Sequence, residues 1–248
     1  MGHGLRAVLV GTMGMLLAVG AGRGGAEAAD IGELNTGAIV VRTYTPPHLR
    51  NDIHIARRTA SAILERARID IDWLECGLPA NLKESSACSR PADPNELIVR
   101  LVSGTTVDRR PGVSTLGYAF VDLGAGGGSL ATIFADRVRG MAQGAAVGVA
   151  ELLGKTMAHE IGHLLLGTNQ HSAHGLMRAY WSNADLRRNR ATEWLFDSRE
   201  GEVMRQGIAS RLRLPAGGSP SPITRRLETA WSVSPLQRDD DAIPDRDH

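Results

Sequence analysis

Two histidines four residues apart bracket a glutamate in the run His159-Glu160-Ile161-Gly162-His163. On a helix this spacing puts both imidazoles on one face, one turn apart, where they can share an ion. Glu160 is the neighbouring carboxylate that can take a proton from a water held there. Four of the eight histidines fall between 159 and 174, which favours a metal centre over scattered surface imidazoles. Gly167 suits a left-handed helix end, after which the chain can turn back beneath the helix. His171 then falls on the returning loop as the candidate third ligand. His174 is the runner-up, and a carboxylate from a later helix, Glu193 or Glu200, is the other possibility. Three nitrogen ligands with one position left to water is the catalytic arrangement of zinc, so a single Zn2+ is the expected cofactor.

The elements that must position these groups follow from periodicity. Ala145 to Leu166 reads as one long helix, and Met157, Ile161, Leu164 and Leu165 give it an apolar stripe that makes it central. Ala38 to Tyr44 alternates and is β-branched, so a strand is expected, stopped by Pro46-Pro47. Asn51 or Asp52 can cap a helix on which Ile53, Ala56, Ala60, Ile63, Leu64 and Ala67 recur at helical spacing. Further strands are expected at Ile69 to Glu75, Leu97 to Val102, Leu116 to Val121 and Leu130 to Phe134. A glycine-rich turn, Gly124 to Gly128, joins the last two. Asp197 to Leu212 reads as a last helix, slightly broken at Gly207. This order predicts one α+β domain, a twisted mixed sheet backed by helices.

With these parts in place the chain resembles the metzincin group of zinc metallopeptidases, within the larger zincin class. The resemblance rests on His159, Glu160, His163, Gly167, His171 and Met177. It is specific over about residues 159–181 and extends in layout over 38–212. It implies zinc held by His159, His163 and His171, and Glu160 as general base. It also implies Met177 in a turn packed beneath the site. The spacing departs from the group's pattern: His171 follows His163 by eight residues instead of six, and the glycine is displaced by one. A strict overlay would place Asn169 in the third position. Tyr180 is a possible oxyanion stabiliser, although it follows the turn methionine by three residues rather than two. The resemblance further implies a peptide or protein substrate lying as an added strand along the sheet edge nearest the active helix, expected at Ser129 to Ala135.

The ends of the chain read differently from its middle. Arg6, the uncharged run Ala7 to Gly22 and the small residues of Ala26-Glu27-Ala28 predict a secretory signal over 1–28. The apolar run is shorter than the roughly 20 residues of a membrane span. A secreted or periplasmic protein with no stable anchor after cleavage is therefore expected. Residues 29–213 are assigned to the metallopeptidase-like domain. Residues 214–248, rich in proline and then in Asp and Arg, are assigned to a disordered tail. Within them Ile223 to Trp231 could dock on the domain. In an exported chain the two cysteines, Cys76 and Cys88, read as a disulfide.

Composition excludes little. The net charge of +1 leaves no basic excess for a nucleic-acid partner. The 26 arginines are scattered among only two lysines, and the Arg187-Arg188-Arg190 run is expected on a solvated face. No oligomer signal is readable. The leading expectation is a zinc metalloendopeptidase. The rivals are a non-proteolytic or narrow-specificity zinc hydrolase, such as a cell-wall amidase, and a zinc-binding protein without turnover.

Overall fold

The computed structural model describes residues 38–77, 85–93, 95–103, 115–124 and 126–213. These all fall in one compact unit, Leu34–His248. The expectations for residues 1–28 and 214–248, including Ile223 to Trp231, lie outside the described residues. Among the described residues no helix is long and apolar enough to cross a membrane.

Five strands form one sheet: β1 (Ile39–Tyr44), β2 (Ile71–Cys76), β3 (Glu96–Val102), β4 (Gly117–Asp122) and β5 (Gly127–Phe134), in the order β2-β1-β3-β5-β4. β1 runs parallel to β2 and β3, and β3 runs parallel to β5. β4 alone is antiparallel and lies at the edge beside β5. The sheet is mixed and helix-backed, so the predicted α+β class holds. One expectation changes: Ser129 to Ala135 is not a sheet edge. Its strand, β5, is enclosed between β3 and β4, because the hairpin folds β4 back onto the outside.

Among the described residues five α-helices accompany the sheet: α1 (Arg50–Arg66), α2 (Ala135–Ala145), α3 (Val149–Leu166), α4 (Asn183–Arg188) and α5 (Ser198–Leu212). α1 begins before the expected Asn51 or Asp52 cap. A 3-10 turn at Pro47–Leu49 feeds it directly, Leu49 is its N-cap, and Asp52 lies in the first turn. The helix expected over Ala145 to Leu166 is α3, which starts at Val149, and a separate helix that was not expected, α2, precedes it. Ala146 takes a left-handed conformation (φ 55°) and ends α2, and Gly148 then opens α3. α2 escaped the periodicity reading because Gly140 and Gly144 dilute its pattern and its buried face is mostly alanine and valine. α4 is a six-residue helix secured by a capping box of Ser182 and Asp185. α5 starts on a second box, Asp197 with Glu200, and continues unbroken through Gly207. There the missing Cβ leaves room for the Leu165 carbonyl, which would lie 2.7 Å from it. Gly127 and Gly128 belong to β5, not to the turn, because they pair with Asp122 and Val121 of β4.

α3 is the centre of the molecule. It packs on α1, α2, α5 and on β3, β4 and β5, and it is buried from Leu152 to Leu165. A helix buried all round is the extreme of the predicted apolar stripe. Its closest neighbour is α1. A Cβ at Gly154 would meet the Ala56 carbonyl oxygen at 2.4 Å and Thr59 Cβ at 2.6 Å, so the two backbones touch where only glycine fits. At the far end of the sheet Cys76 and Cys88 form the expected disulfide, with Cα atoms 5.6 Å apart. The bridge ties the end of β2 to the segment leading into β3 and contributes roughly 2–3 kcal/mol by the loop-entropy estimate. Gly154→Ala forces α1 and α3 apart, so it is expected to cost about 1–3 kcal/mol. Chemical denaturation measures this, and an unchanged midpoint would show that the helix pair has slack.

Candidate metal centre

α3 carries His159, Glu160 and His163 on the side facing β4 and the loop that follows the helix. Gly167 ends the helix in the expected left-handed conformation (φ 68°), its N–H donating to the His163 carbonyl. A side chain there would meet Gly126 O at 2.3 Å, so helix end and β-hairpin close on each other. The chain then returns under the helix through Thr168 to Arg178. Ser172 N donates to Met177 O at 2.9 Å, closing the loop, and Leu176 N donates to Leu195 O. Ser172 Oγ donates to Glu200, so the capped start of α5 holds the same loop from outside.

This loop delivers the third imidazole. The ligand atoms of His159, His163 and His171 all lie within 4.8 Å of one another. His163 Nε2 is 3.1 Å from His159 Nε2 and 3.3 Å from His171 Nε2. His159 Nδ1–H donates to the Leu176 carbonyl at 2.9 Å, and His163 Nδ1–H donates to the Thr168 carbonyl at 2.8 Å. With those protons on Nδ1, the two Nε2 atoms present lone pairs to each other. Lone pairs at that distance repel unless a cation stands between them, and a carbonyl partner on the second nitrogen is the usual orientation of a metal-ligating histidine. Burial, then the neighbouring His163, pushes the His159 pKa down to about 3. Burial also lowers His163 and His171. The three rings are therefore neutral at neutral pH, as ligation requires. The residues fit a zinc ion on the chemistry of the donor set.

Glu160 points away from the core into the same space. It is 4% exposed, and its Oε2 has no hydrogen-bond partner. Burial raises its pKa to about 8. A buried carboxylate with nothing to offset its charge is costly, and a cation in front of it removes that cost. Oε1 rests against the edge strand, where a Cβ at Gly117 would sit 2.8 Å away. Met177 is buried. Its Sδ would lie 2.8 Å from a Cβ at Gly162, so the glycine of the motif is the seat of the thioether. The Trp181 ring packs edge-on to His159 at 5.4 Å.

An open cleft of about 540 Å³ lies over the three histidines and Glu160. β4 supplies one bank through Gly117, Tyr118 and Ala119, and the stretch Arg178 to Trp181 supplies the other. Tyr180 stands on the rim, 66% exposed. The competing ligands are elsewhere. His174 is exposed and outside the cluster. Glu193 faces Arg188 and Arg190, each at 3.9 Å. Glu200 is used by the α5 cap and by Ser172. Asn169 lines the cleft without joining the three rings. Sequence reasoning did not find Gly117 or Gly162 as parts of the site; a lone glycine carries no periodic signal.

No protein-family model matches the chain, and no curated protein matches it. Among solved structures it is similar to a zinc-dependent peptidase from Methanocorpusculum labreanum, at 14% identity and a TM-score of 0.44, over 66% of this chain and 99% of that one. It is also similar to archaemetzincin from Methanopyrus kandleri, at 15% identity and a TM-score of 0.41, over 70% of this chain and 97% of that one. Single-alanine variants test the ligand set by metal content after dialysis. His159→Ala, His163→Ala and His171→Ala are each expected to lose the ion, and His174→Ala and Glu193→Ala to keep it. Full occupancy in His171→Ala would remove the loop histidine from the set.

Proposed function

We propose that this chain is an exported zinc-dependent metalloendopeptidase of metzincin type. The observation that carries the reading is the convergence of three neutral imidazoles beside a buried, unpaired glutamate on the floor of an open cleft. A purely structural zinc site is closed by four protein ligands and has no use for such a carboxylate. The Cys76–Cys88 bridge supports export, because disulfides persist in oxidising compartments. The signal-like pattern of residues 1–28 supports it too.

When bound, zinc supplies Lewis acidity that brings the pKa of a water to about 7 and offsets charge developing on a substrate carbonyl. His159, His163 and His171 would hold the ion, and the Leu176 and Thr168 carbonyls keep two of the rings aligned. Glu160 Oε2 accepts the proton of the attacking water and passes it to the leaving amine. Gly117 sets the position of Glu160 by leaving room for its other oxygen. Met177 seats the two helix histidines by packing at Gly162. Tyr180, on the rim, would offer its hydroxyl to the developing oxyanion. The substrate backbone pairs along β4, whose outer edge is unpaired among the described residues. Main-chain pairing of this kind binds extended peptides irrespective of most side chains.

Cleavage of a denatured protein should be abolished by a chelator, and by Glu160→Gln with zinc retained. Zinc binding without any cleavage would favour an amidase or a non-catalytic role. Gly117→Ala should lower turnover about tenfold or more by displacing Glu160. Steady-state kinetics with metal content measured alongside separates displacement from loss of the ion.

A further inference from the structure

The bank opposite β4 carries a feature that the reaction does not use. Arg178 follows the turn methionine and lines the cleft. Its Nε donates to the Gly175 carbonyl at 3.0 Å, and its Nη2 has no hydrogen-bond partner. The guanidinium lies 5.5 Å from the Trp194 ring centre. The nearby carboxylate of Asp185 does not bond it. One Asp185 oxygen accepts from Arg188, and the other accepts from Ser182 N and Ser182 Oγ. Three residues on, Trp181 lines the same cleft and is 6% exposed. Its Nε1–H also lacks an acceptor. Trp181 packs edge-on to Trp194 at 5.2 Å, so both orphan donors are gathered around one indole. Lys155 adds a second cation, 4.3 Å over the same ring, with its own hydrogen bond to Asn189.

Buried donors without acceptors are expensive, and here they sit in the wall of a cleft. Among the described residues lining that cleft Glu160 is the only carboxylate and Arg178 the only fixed cation. A divalent ion together with Arg178 outweighs Glu160, so the cleft favours an anion. A planar guanidinium is the side chain best matched to a carboxylate, which it can grip with two parallel hydrogen bonds. We propose that Arg178 and Trp181 form a carboxylate-binding subsite, so that the cleft selects peptides presenting an acidic side chain or a free C-terminus next to the scissile bond. Recognition turns the guanidinium about its Nε anchor and exposes Nη2 to the ligand. The inference rests on the peptidase reading and adds the class of substrate.

The test uses the full-length, zinc-loaded protein and matched fluorogenic peptides. In one arm the residue on either side of the scissile bond is Glu, Gln or Lys. In the other the peptide ends in a free acid or an amide near that bond. The expected result is a kcat/KM ratio of about tenfold or more in favour of the carboxylate form in at least one arm, the size of one hydrogen-bonded charge. The arm that responds identifies side chain or terminus as the source. The ratio should fall towards one in Arg178→Gln and be partly kept in Arg178→Lys, with melting curves confirming that both fold. A second readout is independent of turnover: anisotropy of the same peptides on zinc-loaded Glu160→Gln, with and without Arg178→Gln. Cleavage without a carboxylate preference, or a preference that survives Arg178→Gln, overturns the subsite and leaves the peptidase reading intact. If no peptide is cleaved, the peptidase reading fails. Binding then decides the subsite: a carboxylate preference lost with Arg178 supports it, and equal binding overturns it.

Discussion

Two imidazole nitrogens with their lone pairs directed at each other, 3.1 Å apart, set the terms for this molecule. Each ring is locked by a main-chain acceptor on its other nitrogen, so neither can turn away or supply a proton to relieve the contact. This is the orientation of a metal-ligating pair, and a cation between the rings relieves the repulsion. Everything that holds the two acceptors in place therefore serves the ion. Leu176 is tied to Leu195, the loop is closed by Ser172 and Met177, and Glu200 at the head of α5 grips Ser172. An element more than 25 residues downstream thus takes part in the metal site without touching it.

The same helix that presents the ligands is also the core. α3 is buried on nearly every side, so its chemistry cannot drift relative to the sheet. Three glycines make this possible, each for a different neighbour. Gly154 admits α1, Gly162 admits the Met177 thioether and the Phe196 ring, and Gly167 admits the β4–β5 hairpin. The packing that sets the ligand geometry is the packing that stabilises the fold, so alteration of either would disturb the other.

Charge is distributed to match. Several of the described arginines are spent on structure. Arg42 and Arg90 surround Glu96, Arg57 pairs with Glu75, and Arg211 reaches the Gly128 and Leu164 carbonyls. Arg188 and Arg190 meet Glu193 or Asp185 on the surface, as expected for a solvated face. Arg178 differs, because its hydrogen bond goes to a carbonyl and the residue lines the cleft. That difference is local and cannot be read from a net charge of +1.

How much was legible in advance follows the range of each interaction. The i, i+4 histidines, the glycine at the helix end and the disulfide were readable, because spacing and residue type alone constrain them. Most strands were found within a residue or two for the same reason. α2 was not, since alanine and glycine carry little periodicity, and the left-handed Ala146 that separates it from α3 leaves no compositional mark. The sheet edge was misplaced because which strand lies outermost depends on how the β4–β5 hairpin folds against β3, a contact between distant segments. Sequence left the third ligand open among His171, His174 and two glutamates. Only tertiary structure brought His171 to the other rings, by turning the loop under α3 and closing it against α5. Local spacing determined that this chain holds a metal-binding helix. Long-range packing decided what completes the site, which edge faces it and which arginine looks into it.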